Sequence, residues 1–215
     1  DRKLWAIDAK NGKPCLSFGR DGSIALFGEE GYVPGDISSS SAPTVAGGLV
    51  IVGSGILDFA RATTPRGIVS AFDALSGEQA WQFDPLLSHR SSGSANVWAP
   101  MSVDEDNGLI YLPTSAPSPD YYGVDRPGGN LYANSIVALE LKTGKLRWHF
   151  QHVHHDLWDY DTPAQPVLFD WTKGGTSIPA LVQVTKQSYV FVFNRLTGEP
   201  LWEITDQPVP PSQIY

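Results

Sequence analysis

An eleven-residue pattern returns along this 215-residue chain, and a chain built on such a repeat has few ways to fold. Residues 71–81 set out Phe72, Asp73, Gly77 and Trp81, and residues 138–148 set out Leu139, Glu140, Gly144 and Trp148 at the same offsets. Residues 192–202 repeat the form with Phe193, Asn194, Gly198 and Trp202. A fourth copy, with Ile7, Asp8 and Gly12, ends in Pro14-Cys15 where the others have Trp. The four glycines stand 65, 67 and 54 residues apart. Each copy reads as a hairpin: an apolar strand, a polar residue that can bond back to the turn, a glycine free to take positive φ, and a strand carrying Trp. Trp81, Trp148 and Trp202 are expected to cover the seams between neighbouring units.

A second strand signal precedes the hairpins, at residues 42–52 and again at 99–112. Two hairpins make a four-stranded unit, and four-stranded units at this spacing are blades of a β-propeller, with the insert 114–134 lying on one face. No segment keeps a helical period. Propellers close with roughly four to eight blades, and four hairpins lacking their outer neighbours make three to four. The chain therefore reads as an all-β partial ring, residues 1–215 forming part of a single propeller domain incomplete at both ends. The missing blades would have to come from the rest of the same protein or from another chain.

Charge and composition remove several functions. With 15 basic and 23 acidic residues the net charge is −8, which gives nucleic acid no basic patch and a membrane surface no polybasic segment. Hydrophobic residues at 41% are too many for a disordered chain. No apolar run is long enough to span a bilayer. The single Cys15 excludes intrachain disulfides and cysteine-based zinc or iron–sulfur sites, and reads as a small buried residue.

The repeat leaves residues 151–166 unexplained. Between His152 and Asp161 lie three His, three Asp, Trp158 and Tyr160, the composition of a loop that does chemistry or of one whose polar groups satisfy one another. His152 and His154 would share a face if extended, as a zinc pair would, but no His-Glu-x-x-His spacing accompanies them. An Asp packed against Trp158 and Tyr160 would be partly desolvated and suited to taking a proton from an alcohol. Lys186, set in an apolar strand-like stretch, either snorkels outward or points into the channel as a partner for an anion.

The hairpins, the His154-His155-Asp156-Leu157-Trp158-Asp159 element and Pro163-Ala164-Gln165-Pro166 together resemble the pyrroloquinoline quinone (PQQ) dependent dehydrogenases, most of all their membrane-bound glucose dehydrogenase branch. The resemblance covers essentially the whole chain. It implies an eight-bladed PQQ-binding propeller holding the cofactor on its axis with Ca²⁺ or Mg²⁺, of which this chain is a fragment, inactive by itself. It implies that Asp159 is the general base and that Lys186, 27 positions on, bonds the reactive quinone carbonyl. Trp98 matches the tryptophan on which the cofactor stacks, and Arg66 or Arg61 would pair with a cofactor carboxylate. Where many relatives place a metal-binding Asn this chain has Ala116, so the ion would take oxygens from Ser115, main-chain carbonyls, Asp58 or Asp159.

The function this implies is oxidation of an aldose or polyol hydroxyl by hydride transfer to PQQ. Electrons would pass to ubiquinone or another acceptor, in a periplasmic, membrane-associated protein. The competing expectation is a non-catalytic propeller serving as a cell-envelope scaffold. The joint presence of Asp159, Lys186 and Trp98 distinguishes the two, because a scaffold has no chemical need of them.

Overall fold

In the computed structural model, residues 3–26, 33–60, 63–86, 92–206 and 210 are described. Among them there is no helix, and hence none long and apolar enough to cross a membrane. Two four-stranded antiparallel sheets and one three-stranded sheet follow one another in chain order. The first comprises Thr44–Ala46, Leu49–Val52, Val69–Asp73 and Gln79–Phe83, and the second Ser102–Asp104, Leu109–Pro113, Ser135–Glu140 and Leu146–Gln151. The third comprises Val167–Lys173, Thr176–Val184 and Val190–Asn194. Before them, Lys3–Trp5 pairs with Ser23–Ala25. Each sheet runs strand by strand with its neighbours in sequence, as meandering propeller blades do.

The sheets stack face to face, and the middle one is buried on both sides. Ile110, Leu112, Val137 and Leu139 pack with Ile51, Val69 and Trp81 of the first sheet. Their alternates Leu109, Tyr111, Ile136 and Ala138 pack with Leu181 and Phe193 of the third. That division follows from the two-residue period of a strand, and it explains why these strands read as unbroken apolar runs.

The recurring Trp and Gly meet across the seam. Trp81 donates its indole N–H to Leu141 O at 2.9 Å, and Trp148 donates to Arg195 O at 2.9 Å. In each case the acceptor belongs to the hairpin turn of the next sheet. The turn glycine lies under the ring: a Cβ on Gly144 would come within 2.7 Å of Trp81, and one on Gly198 within 2.6 Å of Trp148. The partial first unit docks similarly, Gly19 N donating to Ser76 O beside Gly77. Trp202 departs from the expected seam role. No strand forms around it among the described residues, and its half-exposed ring stacks on Trp171 with centroids 4.6 Å apart.

One further expectation is corrected: Cys15 is only half-buried. The insert 114–134 exposes Tyr121, Tyr122 and Val124 while its other side turns inward, Pro117–Ser118 pairing with Gly93–Ser94 and Thr114, Ala116, Arg126 and Asn134 being completely buried.

Gly144 and Gly108 both have positive φ, +67° and +64°, but only Gly144 has a ring against it. Gly108→Ala is expected to lose about 1 kcal/mol of unfolding free energy from backbone strain, and Gly144→Ala about 2–4 kcal/mol once displacement of Trp81 is added. Denaturant unfolding of the two variants measures the difference.

Candidate active site

The loop 152–166 leaves the last strand of the second sheet and enters the first strand of the third, so it crosses between two blades. Lys186 approaches it from the turn joining Thr176–Val184 to Val190–Asn194, and not from within a strand. Its Nζ donates to Asp159 Oδ2 at 2.9 Å and to the Asp159 main-chain oxygen at 2.5 Å. Asp161 Oδ2 lies 3.6 Å from the same ammonium. Burial pulls the Lys186 pKa down, but Asp159 and Asp161 push it up further, so the group is held above its ordinary value as a cation.

Asp159 sits at φ +57°, in the left-handed region. That backbone turns its carbonyl and its carboxylate toward one ammonium. The neighbouring Trp158 is 68% exposed, so the expected shielding of Asp159 by the indole gives way to an ion pair as the defining contact.

The loop around Asp159 is held by groups the sequence did not single out. Asp156, 1% exposed, accepts Trp158 N on Oδ1 at 2.9 Å, Tyr160 N on Oδ2 at 2.7 Å and Asn134 Nδ2 on Oδ2 at 2.8 Å. Arg126 is fully buried; its guanidinium donates to Asn130 Oδ1 at 2.8 Å, to Pro119 O at 3.0 Å and to the Asp156 carbonyl. Burial lowers the Arg126 pKa, against the opposing charges of Asp156 and Asp120. Asp161 accepts the Ala116 amide at 2.9 Å, and burial first, then the Asp159 charge, push its pKa up to about 6.

Two more carboxylates lie within electrostatic reach. Burial raises the pKa of Asp58, as does Asp159, while Lys186 opposes the rise. Asp120, 4% exposed, is pushed up to about 7 by burial and by Asp58, Asp159 and Asp161, and its Oδ1 has no hydrogen-bond partner. Asp159 and Asp161 thus face Lys186 directly while Asp58 and Asp120 act on them at longer range, a net-negative setting around one lysine. Among the described residues no three acidic, His or Cys side chains stand together as a complete metal-binding group.

Trp98 and Asp58, predicted from sequence, meet at a cavity of about 300 Å³ that is also lined by Asn96 and Gly55. Trp98 is half-buried there, its carbonyl accepting the Ser40 hydroxyl at 3.0 Å. A flat aromatic floor beside a carboxylate fits a planar cofactor. Ser115 donates to Asn96 Oδ1 at 2.8 Å, and no hydrogen bond joins it to Asp58 or Asp159, whereas Ser118 reaches the Asp58 carbonyl at 3.3 Å. The Ala116 carbonyl is already engaged by Ala95 N and the Ser115 hydroxyl.

Arg66, expected beside a cofactor carboxylate, lays its fork on Asp84, with Nη2 2.7 Å from each carboxylate oxygen. Arg61 lies outside the described residues. The two candidate zinc histidines form no metal site. His152 bonds Thr162 Oγ1 at 2.7 Å, with burial pulling its pKa down to about 4, and His154 is exposed.

With this geometry in view, comparison with known proteins is informative. Residues 1–215 match the family described as "PQQ: Glucose/ethanol/alcohol dehydrogenase, beta-propeller domain". The chain is 37% identical to the glycerol dehydrogenase large subunit of Gluconobacter thailandicus, over 98% of this chain and 30% of that protein. It is also 37% identical to the quinate/shikimate dehydrogenase (quinone) of Acinetobacter baylyi, over 100% of this chain and 28% of that protein. The crystal structure of a quinohaemoprotein alcohol dehydrogenase from Pseudomonas putida superposes with a TM-score of 0.80 at 27% identity, over 94% of this chain and 31% of that one. The chain thus spans less than a third of the length of these relatives.

Arg126→Ala would leave Asn130 Oδ1 and the main-chain oxygens of Pro119 and Asp156 buried without this donor. The expected loss is about 1–3 kcal/mol of unfolding free energy, read from the denaturant midpoint.

Proposed function

Because this chain belongs to the PQQ-dependent glucose, ethanol and alcohol dehydrogenase family of β-propellers, and because its fold sets Asp159 against Lys186, we propose that it carries the reactive pair of a quinoprotein that oxidises a hydroxyl of an aldose or polyol. The contact between Asp159 and Lys186 is the observation that carries the reading. The family description supports an alcohol or sugar hydroxyl as the reacting group, and the glycerol dehydrogenase relative supports a polyol. Residues 1–215 form part of one PQQ-binding propeller domain, and the remaining blades complete the pocket.

When bound, PQQ supplies a flat quinone that accepts hydride, and Ca²⁺ or Mg²⁺ supplies Lewis acidity beside it. Trp98 offers the floor on which such a ring lies. Asp58 and Asp159 would offer carboxylate oxygens to such an ion, and Ser115, bonded to Asn96, would act through that side chain. Asp159 takes the proton of the substrate hydroxyl, the step that lets the carbon release hydride. Lys186, held as a cation, stabilises negative charge that grows in the transition state more than in the ground state. Electrons then leave to ubiquinone or another acceptor, a reading that the quinone named for the Acinetobacter relative supports. The corresponding location is the periplasm, in association with the membrane.

The full-length protein loaded with PQQ and Ca²⁺ or Mg²⁺ is expected to oxidise aldoses or polyols with an artificial electron acceptor. Failure to bind PQQ would sink the proposal in favour of a non-catalytic scaffold. Asp159→Asn, which keeps shape and removes the base, should lower kcat by about 10²–10⁴-fold while PQQ binding persists.

A further inference from the structure

We infer that Asp156 is a positioning residue whose buried carboxylate sets the conformation in which Asp159 meets Lys186. The inference rests on the reading of those two residues as the reactive pair. Of the acidic residues in the loop, Asp156 is the one farthest into the protein, 1% exposed, yet it makes no contact with Lys186. Its bonds go to the chain on either side of Asp159. Trp158 N lies 2.9 Å from Oδ1 and Tyr160 N 2.7 Å from Oδ2, so the amides of both neighbours of Asp159 point at a single carboxylate.

Asn134 ties the far side a second time, donating Nδ2 to Asp156 Oδ2 at 2.8 Å and to the Tyr160 carbonyl at 2.9 Å. Arg126 anchors the Asp156 carbonyl in turn. With residues 158 and 160 fixed, the peptide between them is held at φ +57°, a conformation that a non-glycine residue does not favour by itself. That conformation presents both the carbonyl and Oδ2 of Asp159 to Lys186 Nζ, at 2.5 and 2.9 Å. Three N–H donors converge on Asp156, so the group must be acceptor-only. An asparagine at 156 would turn an NH₂ against at least one of them: against Trp158 N in one orientation, and against Tyr160 N and Asn134 Nδ2 in the other.

The test uses the full-length protein with PQQ and Ca²⁺, comparing wild type, Asp156→Asn and the milder Asn134→Ala, which leaves both amide bonds to Asp156 in place. Turnover is expressed per bound PQQ, so that unfolded or empty protein does not count. Asp156→Asn is expected to lower kcat by about 10–100-fold, the range that a misplacement of about 1 Å produces. KM for the sugar or polyol and the affinity for PQQ should stay within about threefold. Asn134→Ala should move in the same direction by a smaller factor, and it decides the matter if Asp156→Asn fails to fold.

Unchanged kcat per bound PQQ, or a loss explained wholly by weaker PQQ binding, overturns the inference. A crystal structure of Asp156→Asn decides it without any assay. An Asp159–Lys186 pair opened beyond 4 Å upholds it, and a pair still closed overturns it. If wild-type protein binds no PQQ, the proposed function fails while this structural readout still judges Asp156.

Discussion

The indole of one blade seated on the turn glycine of the next is the contact on which the rest of the arrangement depends. It fixes the angle and separation of successive sheets, with a ring against a bare Cα and an indole N–H bonded to a turn carbonyl. Because Trp148 locks the second sheet to the third, the loop leaving the one and the hairpin turn of the other are brought into register. Asp159 lies on the loop linking the two sheets and Lys186 on a turn of the third, and their 2.9 Å contact follows from that docking.

Around the Asp159–Lys186 pair the protein concentrates negative charge and shields it unevenly. Asp161 is tied to a main-chain amide, Asp156 serves the backbone, and Asp120 keeps an unpaired buried oxygen. Such a set is costly to hold, since buried carboxylates repel one another and lose hydration. Lys186 offsets part of that cost at Asp159 and Asp161.

The blade architecture was legible because repetition writes it several times, and the middle sheet announced its double burial through unbroken apolar strands. That Asp159 and Lys186 would lie together was legible through their motif and separation, and Trp98 and Asp58 line one cavity. Asp156, Asn134, Asp161 and Arg126 were not, because their roles arise from contacts between loops that carry no periodic signal. An arginine in an insert reads as surface until the fold closes over it. Arg66 illustrates the converse: its partner Asp84 stands 18 residues away, and nothing in the intervening sequence marks the pair. Trp202 shares its motif with Trp81 and Trp148 but finds Trp171 in place of a turn.

The corners of the two loops framing the site are Asn130, Asn134, His155 and Asp159, all at positive φ. Asn, Asp and His are the non-glycine residues that tolerate this region best. A glycine at each corner would relax the folded backbone, but it would also give the unfolded chain more states to lose. At positive φ the backbone strain outweighs that entropic gain, so a side chain at such a corner has to offset its cost through the bonds it makes. All four also contribute side-chain bonds, Asn130 with Arg126, Asn134 with Asp156, His155 with Gly128 and Asp159 with Lys186, so the residues that bend the chain are the ones that keep it bent. Replacing any of these corners by glycine would therefore ease the turn and release the loop together, because strain and anchorage reside in the same residue.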